Sequence, residues 1–180
     1  MIFIISGLPG TGKTTLAKEI EKKYNFWYLS DWEIFNNLNI NINISDFASK
    51  TSISENFSEI LINYILNLKD KDIVVDIEYT ISPKDYKFPE LYKCSKIVYL
   101  GFNSIDENTL FNLFRVKSNS QIDDTSLTEK IKTYIKYSKL YYNECQKYNF
   151  DYWDINLNRN EVIDKILEDY NYCLSSNENI

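Results

Sequence analysis

The sequence contains no histidine. That absence excludes a histidine general base, a Ser-His-Asp triad and imidazole metal ligands, so any proton transfer falls to other side chains. Cysteine is scarce. Cys94, Cys145 and Cys173 are odd in number, and no pair has the C-x-x-C spacing of a zinc or redox motif. A disulfide framework or zinc site is not expected, and a reducing cytoplasm is the simplest setting. Basic character is limited too: the net charge is −6 and the pI about 4.8, which argues against nonspecific nucleic-acid binding. No apolar run reaches the length of a membrane helix. The run Ile2-Phe3-Ile4-Ile5 has no basic region before it and is too short for a signal peptide, so it reads as a buried strand, and no membrane partner is expected.

What is present suits one domain with a substantial core: 180 residues, 44% hydrophobic, with fifteen Tyr and ten Phe. Short apolar runs alternate with helical periodicity. Strands are expected at 2–5, 26–29, 72–77, 96–102 and 150–153. Helices are expected at 14–24, from Asp31 onward, and at 53–68, 105–117, 127–148 and 160–170. Residues 39–52 are Asn- and Ser-rich and read as a connection. Residues 78–95 carry Pro83 and Pro89 and read as irregular, and 118–126 read as a polar loop. Strands that are apolar throughout and alternate with helices imply an α/β fold, with a parallel sheet covered by helices on both faces.

Three of the four glycines fall in Gly7-Leu8-Pro9-Gly10-Thr11-Gly12-Lys13-Thr14, followed by Thr15. The pattern G-x-x-x-x-G-K-[ST] after a strand and at the opening of a helix is a phosphate-binding P-loop. Glycines let backbone N–H groups turn toward phosphates, and the helix start adds partial positive charge. Lys13 can reach the β- and γ-phosphates, and the Thr14 hydroxyl can coordinate Mg²⁺. ATP or GTP with Mg²⁺ is the ligand this loop implies.

The layout resembles the small P-loop kinases, the group that includes shikimate, gluconate, nucleoside and nucleotide kinases. An N-K-x-D base-reading segment is absent, and strand 3 ends Asp76-Ile77-Glu78 rather than in an adjacent Asp-Glu pair, unlike GTPases and AAA+ or recombinase-type ATPases. The resemblance spans roughly residues 1–172, with a lid near 115–126 and a tail at 173–180. It implies a single P-loop NTPase domain with a five-stranded parallel sheet in the order 2-3-1-4-5. It also implies roles. Asp76, closing strand 3 beside the P-loop, would hold a Mg²⁺ water. Asp31, just after strand 2, would act as base or orient the acceptor, unless Ser30 or Asp31 caps the helix there. Arg115 would neutralise the transferring phosphoryl group, and Arg159 would contact the adenine. These are the only two arginines. Many relatives carry a second lid arginine; here Lys117 is the one candidate for that place.

The acceptor side is expected to involve Asp31, Trp32, Glu33, Glu78 and Tyr79. Carboxylates and aromatics suit a polyhydroxylated or amine-bearing small molecule or a nucleoside. Substrates bearing phosphate or carboxylate usually call for Arg or Lys, and Lys84 is the nearest basic residue in these segments. The expected activity is phosphoryl transfer from ATP to a hydroxyl of a small molecule. Two rivals stand beside it. One is a kinase for polynucleotide 5′-hydroxyls or a nucleotide-sugar, although Trp32, Glu33, Ile34 and Phe35 lack the Arg that polynucleotide kinases place after the Asp. The other is a nucleotide-dependent switch acting through a protein partner.

Overall fold

A computed structural model of the chain describes residues 1–38, 51–77, 88–117, 122–155 and 158–175. The apolar runs become β1 (Ile2–Gly7), β2 (Trp27–Ser30), β3 (Ile73–Asp76), β4 (Ser95–Gly101) and β5 (Asp151–Asp154). They pair in parallel in the order β2-β3-β1-β4-β5. β1 sits at the centre with every residue buried. Its neighbours alternate between two cores. Phe3 and Ile5 join Val74, Val98 and Leu100 on one face, while Ile2 and Ile4 join Ile73, Val75, Ile97 and Tyr99 on the other. Covering both faces is what makes the strands read as continuous apolar runs rather than alternating ones.

The first face is covered by α1 (Lys13–Tyr24), by the N-terminal half of α6 (Asp124–Tyr148) and by α7 (Arg159–Asp169), through residues such as Leu16, Ile20, Ile131 and Ile166. The second is covered by α2 (Asp31–Asn37), α3 (Thr51–Leu66) and α4 (Phe88–Cys94), through Ile34, Leu61, Ile65 and Leu91. On α3, Ile62 is buried with Leu61 and Ile65, whereas Ile60, Tyr64 and Leu68 are only partly buried. The fold also contains α5 (Glu107–Lys117) and a short α8 (Asn171–Ser175).

Two expectations need correction. Residues 88–94 form a helix despite Pro89, because proline at a helix's first turn removes an N–H that has no intrahelical partner there. Residues 124–126 belong to α6 rather than to a loop. Asp123 caps that helix, its side chain accepting from the Ser126 N–H at 2.9 Å. α1 and α6 both end on an asparagine in the left-handed region, Asn25 and Asn149, each at φ 57°. These stops aim the chain into β2 and β5, whose C-terminal ends carry Ser30-Asp31 and Asp154 to the same edge of the sheet as the glycine loop.

Candidate functional site

β1 ends on Gly7 at φ 127°, and a Cβ there would lie 2.0 Å from the carbonyl oxygen of Leu100. The close approach lets the Leu8 N–H donate to that carbonyl at 3.1 Å, fixing the loop's entry against β4. Gly10 and Gly12 also take positive φ, 79° and 101°. The loop folds on itself: the Thr11 hydroxyl donates to Leu8 O at 2.7 Å, and Lys13 Nζ donates to the same carbonyl at 3.1 Å. Lys13 is only 5% exposed, so its ammonium lies within the loop's own turn. α1 opens at Gly12 with no side-chain cap, whereas Ser30 caps α2 and Asp123 caps α6. The helix that opens at Arg159 also has no side-chain cap, but only α1 opens on the glycine loop with Lys13, and an anion is what a helix N-terminus with a lysine beside it attracts.

The next pair lies 62 residues apart in the sequence. Asp76 closes β3, in register with Ile5 of β1 and Ser30 of β2. Its Oδ2 accepts from the Thr14 hydroxyl at 2.5 Å. A hydroxyl and a carboxylate in contact at the foot of a phosphate-binding helix suit a hard divalent cation, which takes oxygen ligands. Among the described residues no group of three or more His, Cys, Asp or Glu closes into a metal site. Mg²⁺ is commonly held by one or two carboxylates plus substrate phosphates.

Asp31 lies one strand farther out, as the first residue of α2, and is 7% exposed. The capping question resolves onto Ser30: its Oγ accepts from the Glu33 N–H at 3.2 Å, and Glu33 Oε2 accepts from the Ser30 N–H at 2.8 Å, a reciprocal capping box. Asp31 Oδ1 accepts from the Trp32 N–H at 2.9 Å. Trp32 itself is 41% exposed rather than packed in the core. Sequence reasoning missed Tyr28, paired with Val74 in the β2–β3 register and partly buried against the α1 side of the sheet. Burial and the nearby charges of Asp76, Glu33, Asp31 and Glu21 push its hydroxyl up to about 12. Only the strand register could have revealed it, because its alternation in the sequence is that of any strand residue. Glu78 and Tyr79 lie outside the described residues.

The two arginines stand on the opposite side of the loop. Arg159 is the first residue of α7; its Nη2 donates to Gly10 O at 2.8 Å, and its Cδ lies 2.8 Å from where a Cβ on Gly12 would sit. Arg159 Nε and Asp154 Oδ1 are buried without a partner among the described residues, one donor and one acceptor; Asp154 closes β5 and Arg159 opens α7. Phe114 of α5 faces Gly10, its Cζ 2.8 Å from the position of an added Cβ. The next residue, Arg115, pairs with Asp124 at 2.8 Å and donates to Ile122 O, so it joins the two ends of the segment between α5 and α6.

No family model matches the chain, and no curated protein sequence does. Solved structures do. A shikimate kinase from Bacteroides thetaiotaomicron superposes with a TM-score of 0.63 at 18% identity, covering 95% of this chain and 98% of the other. A shikimate kinase from Acinetobacter baumannii in complex with shikimate gives 0.59 at 19% identity, with 99% and 95% covered. YorR protein from Bacillus subtilis, in complex with phosphorylated GDP, gives 0.59 at 15% identity, with 96% of each chain covered. The fold is that of the small P-loop kinases. In a small P-loop kinase fold the strand order puts β1 and β3 side by side, which is how Thr14 and Asp76 meet although 62 residues separate them. Ligands in such open sheets bind at the carboxyl ends of the strands, and Lys13, Asp31, Asp76 and Arg159 all stand there.

Proposed function

We propose that the protein is an ATP-dependent phosphotransferase that moves the γ-phosphoryl group to a hydroxyl of a small molecule. The observation that carries the reading is the contact between Thr14 and Asp76, set beside an uncapped α1 and a buried Lys13, with Asp31 following Ser30, the register partner of Asp76. Backbone N–H groups from Gly7, Leu8, Pro9, Gly10, Thr11 and Gly12 onward, proline excepted, would cradle the phosphates, with Lys13, Thr14 and Thr15 at the helix start. Thr14 and Asp76 are the residues that would hold Mg²⁺, which supplies neutralisation of charge on the β- and γ-phosphates.

Asp31 accepts the proton of the attacking hydroxyl. The acceptor oxygen bonds to the γ-phosphorus as the bond from that phosphorus to the β–γ bridging oxygen breaks, and ADP leaves. In the absence of any histidine, a buried carboxylate at this position is the group suited to the task. Arg115 leaves Asp124 to meet the charge of the transferring group, and Arg159, with Asp154 at the end of β5, receives the nucleotide base. A planar guanidinium suits both places better than an ammonium. Trp32 and Glu33 face the acceptor, and Glu78 and Tyr79, assigned to the same side from the sequence, lie outside the described residues. Positioning and electrostatics supply nearly all of the acceleration in this chemistry.

The YorR complex with phosphorylated GDP favours a second reading, in which the acceptor is itself a nucleotide. The test is ATP consumption with Mg²⁺ across pools of nucleosides, nucleotides, sugars, aminoglycosides and 5′-hydroxyl oligonucleotides. A pool-specific rise that vanishes in Lys13→Ala supports a kinase and names its acceptor class. Tight ATP binding with no response in any pool would sink the reading in favour of a nucleotide-dependent switch. Asp31→Asn is expected to lower turnover ~10²–10⁴-fold; near-normal turnover removes Asp31 from the role of base.

A further inference from the structure

The two sides of the phosphate loop differ in what the strands bring to them. On one side of β1, Asp76 closes β3 and Asp31 follows β2. On the other side the loop rests on β4, through the bond from the Leu8 N–H to Leu100 O, and β5 pairs with β4 so that Asp154 stands opposite Gly101. Under the proposed function the γ-phosphate meets its acceptor on the β2–β3 side. The nucleoside then falls to the β4–β5 side.

Arg159 ties that second side to the loop. Its Nη2 donates to Gly10 O at 2.8 Å, and its Cδ lies 2.8 Å from where a Cβ on Gly12 would sit. That bond and that packing hold the planar guanidinium in place. Its Nε is buried and without a hydrogen-bond partner among the described residues, and so is Asp154 Oδ1, so these two atoms do not bond to each other. Buried polar atoms in native folds are nearly all paired. A donor and an acceptor left together at the carboxyl edge of the sheet suit a group that presents one acceptor and one donor.

Purine bases divide on that pattern. Adenine carries an amino donor at position 6 beside the acceptor N7, whereas guanine carries two acceptors there, O6 and N7. An ionised carboxylate has no proton to give. Asp154 against a 6-carbonyl would set acceptor against acceptor, with both desolvated.

We propose that Asp154 selects the nucleotide base, its Oδ1 accepting from the 6-amino group of adenine while Arg159 Nε donates to a ring nitrogen of the same base. This rests on the phosphotransferase reading only in taking a nucleoside triphosphate to occupy the loop, and it requires no particular acceptor. Arg159 joins the base to the loop, and the carboxylate discriminates.

The experiment is calorimetric titration of the full chain, with Mg²⁺ and no acceptor, using three triphosphates that differ at position 6 of the purine. ATP has the amino group, purine riboside 5′-triphosphate has hydrogen, and ITP has a carbonyl. ATP is expected to bind about ten-fold or more tighter than the hydrogen analogue, the scale of a hydrogen bond to a charged group, and ITP to bind weakest. Asp154→Ala is expected to bring ATP to within about two-fold of the hydrogen analogue, because the acceptor is gone. Asp154→Asn can turn an N–H toward a carbonyl, so it is expected to raise ITP relative to ATP. Circular dichroism and the thermal midpoint verify that each variant is folded. Equal binding of ATP and the hydrogen analogue by the wild type overturns the assignment and leaves the two atoms to solvent. A lead by ITP overturns it as well. A gap that survives in folded Asp154→Ala, or an unchanged ratio of ATP to ITP in Asp154→Asn, removes Asp154 as the reader. Each of these results leaves the phosphotransferase reading standing, because a triphosphate still binds. Binding of none of the three by the folded wild type overturns both.

Discussion

Thr14 and Asp76 are in hydrogen-bond contact at 2.5 Å although one lies in the first turn of the first helix and the other closes the third strand. Under the proposed function this contact marks the cation site, and it makes a direct prediction about cation dependence. Thr14→Val and Asp76→Asn should each weaken ATP binding by about ten-fold when Mg²⁺ is present and by much less in EDTA, because only the Mg²⁺-linked part of the affinity passes through these two groups. Calorimetric titration with and without the ion checks it. Equal losses in both conditions would make the pair a structural contact.

Arg115 offers a prediction in the opposite direction. Its pair with Asp124 has both partners substantially exposed, so it contributes at most about 1 kcal/mol to stability. If the guanidinium must leave Asp124 to meet a phosphoryl group, Asp124→Asn removes a competitor. Turnover should then rise roughly two- to five-fold, while the thermal midpoint moves by only a few degrees. A fall in turnover would instead make the ion pair part of the working geometry.

The loop glycines differ in what an added methyl would meet. At Gly7 the obstacle is the backbone carbonyl of Leu100, at 2.0 Å, and it cannot swing away. Gly7→Ala should cost about 2 kcal/mol or more, read by denaturant unfolding. At Gly12 the obstacle is the flexible Arg159 side chain at 2.8 Å, on top of φ +101°. The stability lost in Gly12→Ala should be partly restored by Arg159→Ala, with the backbone share remaining.

Tyr28 sets an alkaline prediction. Its hydroxyl is pushed up to about 12 in the folded protein, by burial first and then by Asp76, Glu33, Asp31 and Glu21, whereas an unfolded tyrosine titrates near 10. A raised folded value means the stabilisation is complete below about pH 10 and is lost as the pH climbs through about 12. Between those limits the wild type should lose stability more steeply than Tyr28→Phe, a difference that urea midpoints measured from pH 9 to 11.5 will show.

Cysteine reactivity should separate by burial. The Cys145 thiol is fully buried and held up to about 12, chiefly by burial and then by Asp151 and Glu144. Cys94 is exposed at the end of α4. In a Cys173→Ser background a thiol reagent at pH 8 should modify one group in the native protein and two after denaturation.

Much of the fold was legible because the signals were local. Apolar runs marked all five strands, and the glycine pattern marked the phosphate loop. The resemblance carried by that pattern implied the sheet order that the structure has. Local signals failed where a boundary depended on a cap or a permissive first turn, as at Pro89 and Asp123. Ser30 and Asp31 were indistinguishable as caps in the sequence, since both residue types suit the position. The reciprocal bonds between Ser30 and Glu33 decide it.

The available chemistry can be read from the residues alone: a loop for phosphates, two guanidiniums, no imidazole, and carboxylates at the ends of the second and third strands. Which of those groups meet was decided by tertiary structure. Parallel pairing of β1 with β3 and β3 with β2 brings Asp76 to Thr14 and sets Ser30 beside it, and helix packing turns Arg159 onto Gly10 and Arg115 onto Asp124. The physical reason is that a strand's composition states only that it will be buried. Its neighbours, and so the company kept by the charged residue at its end, follow from the crossover connections and the two cores they enclose.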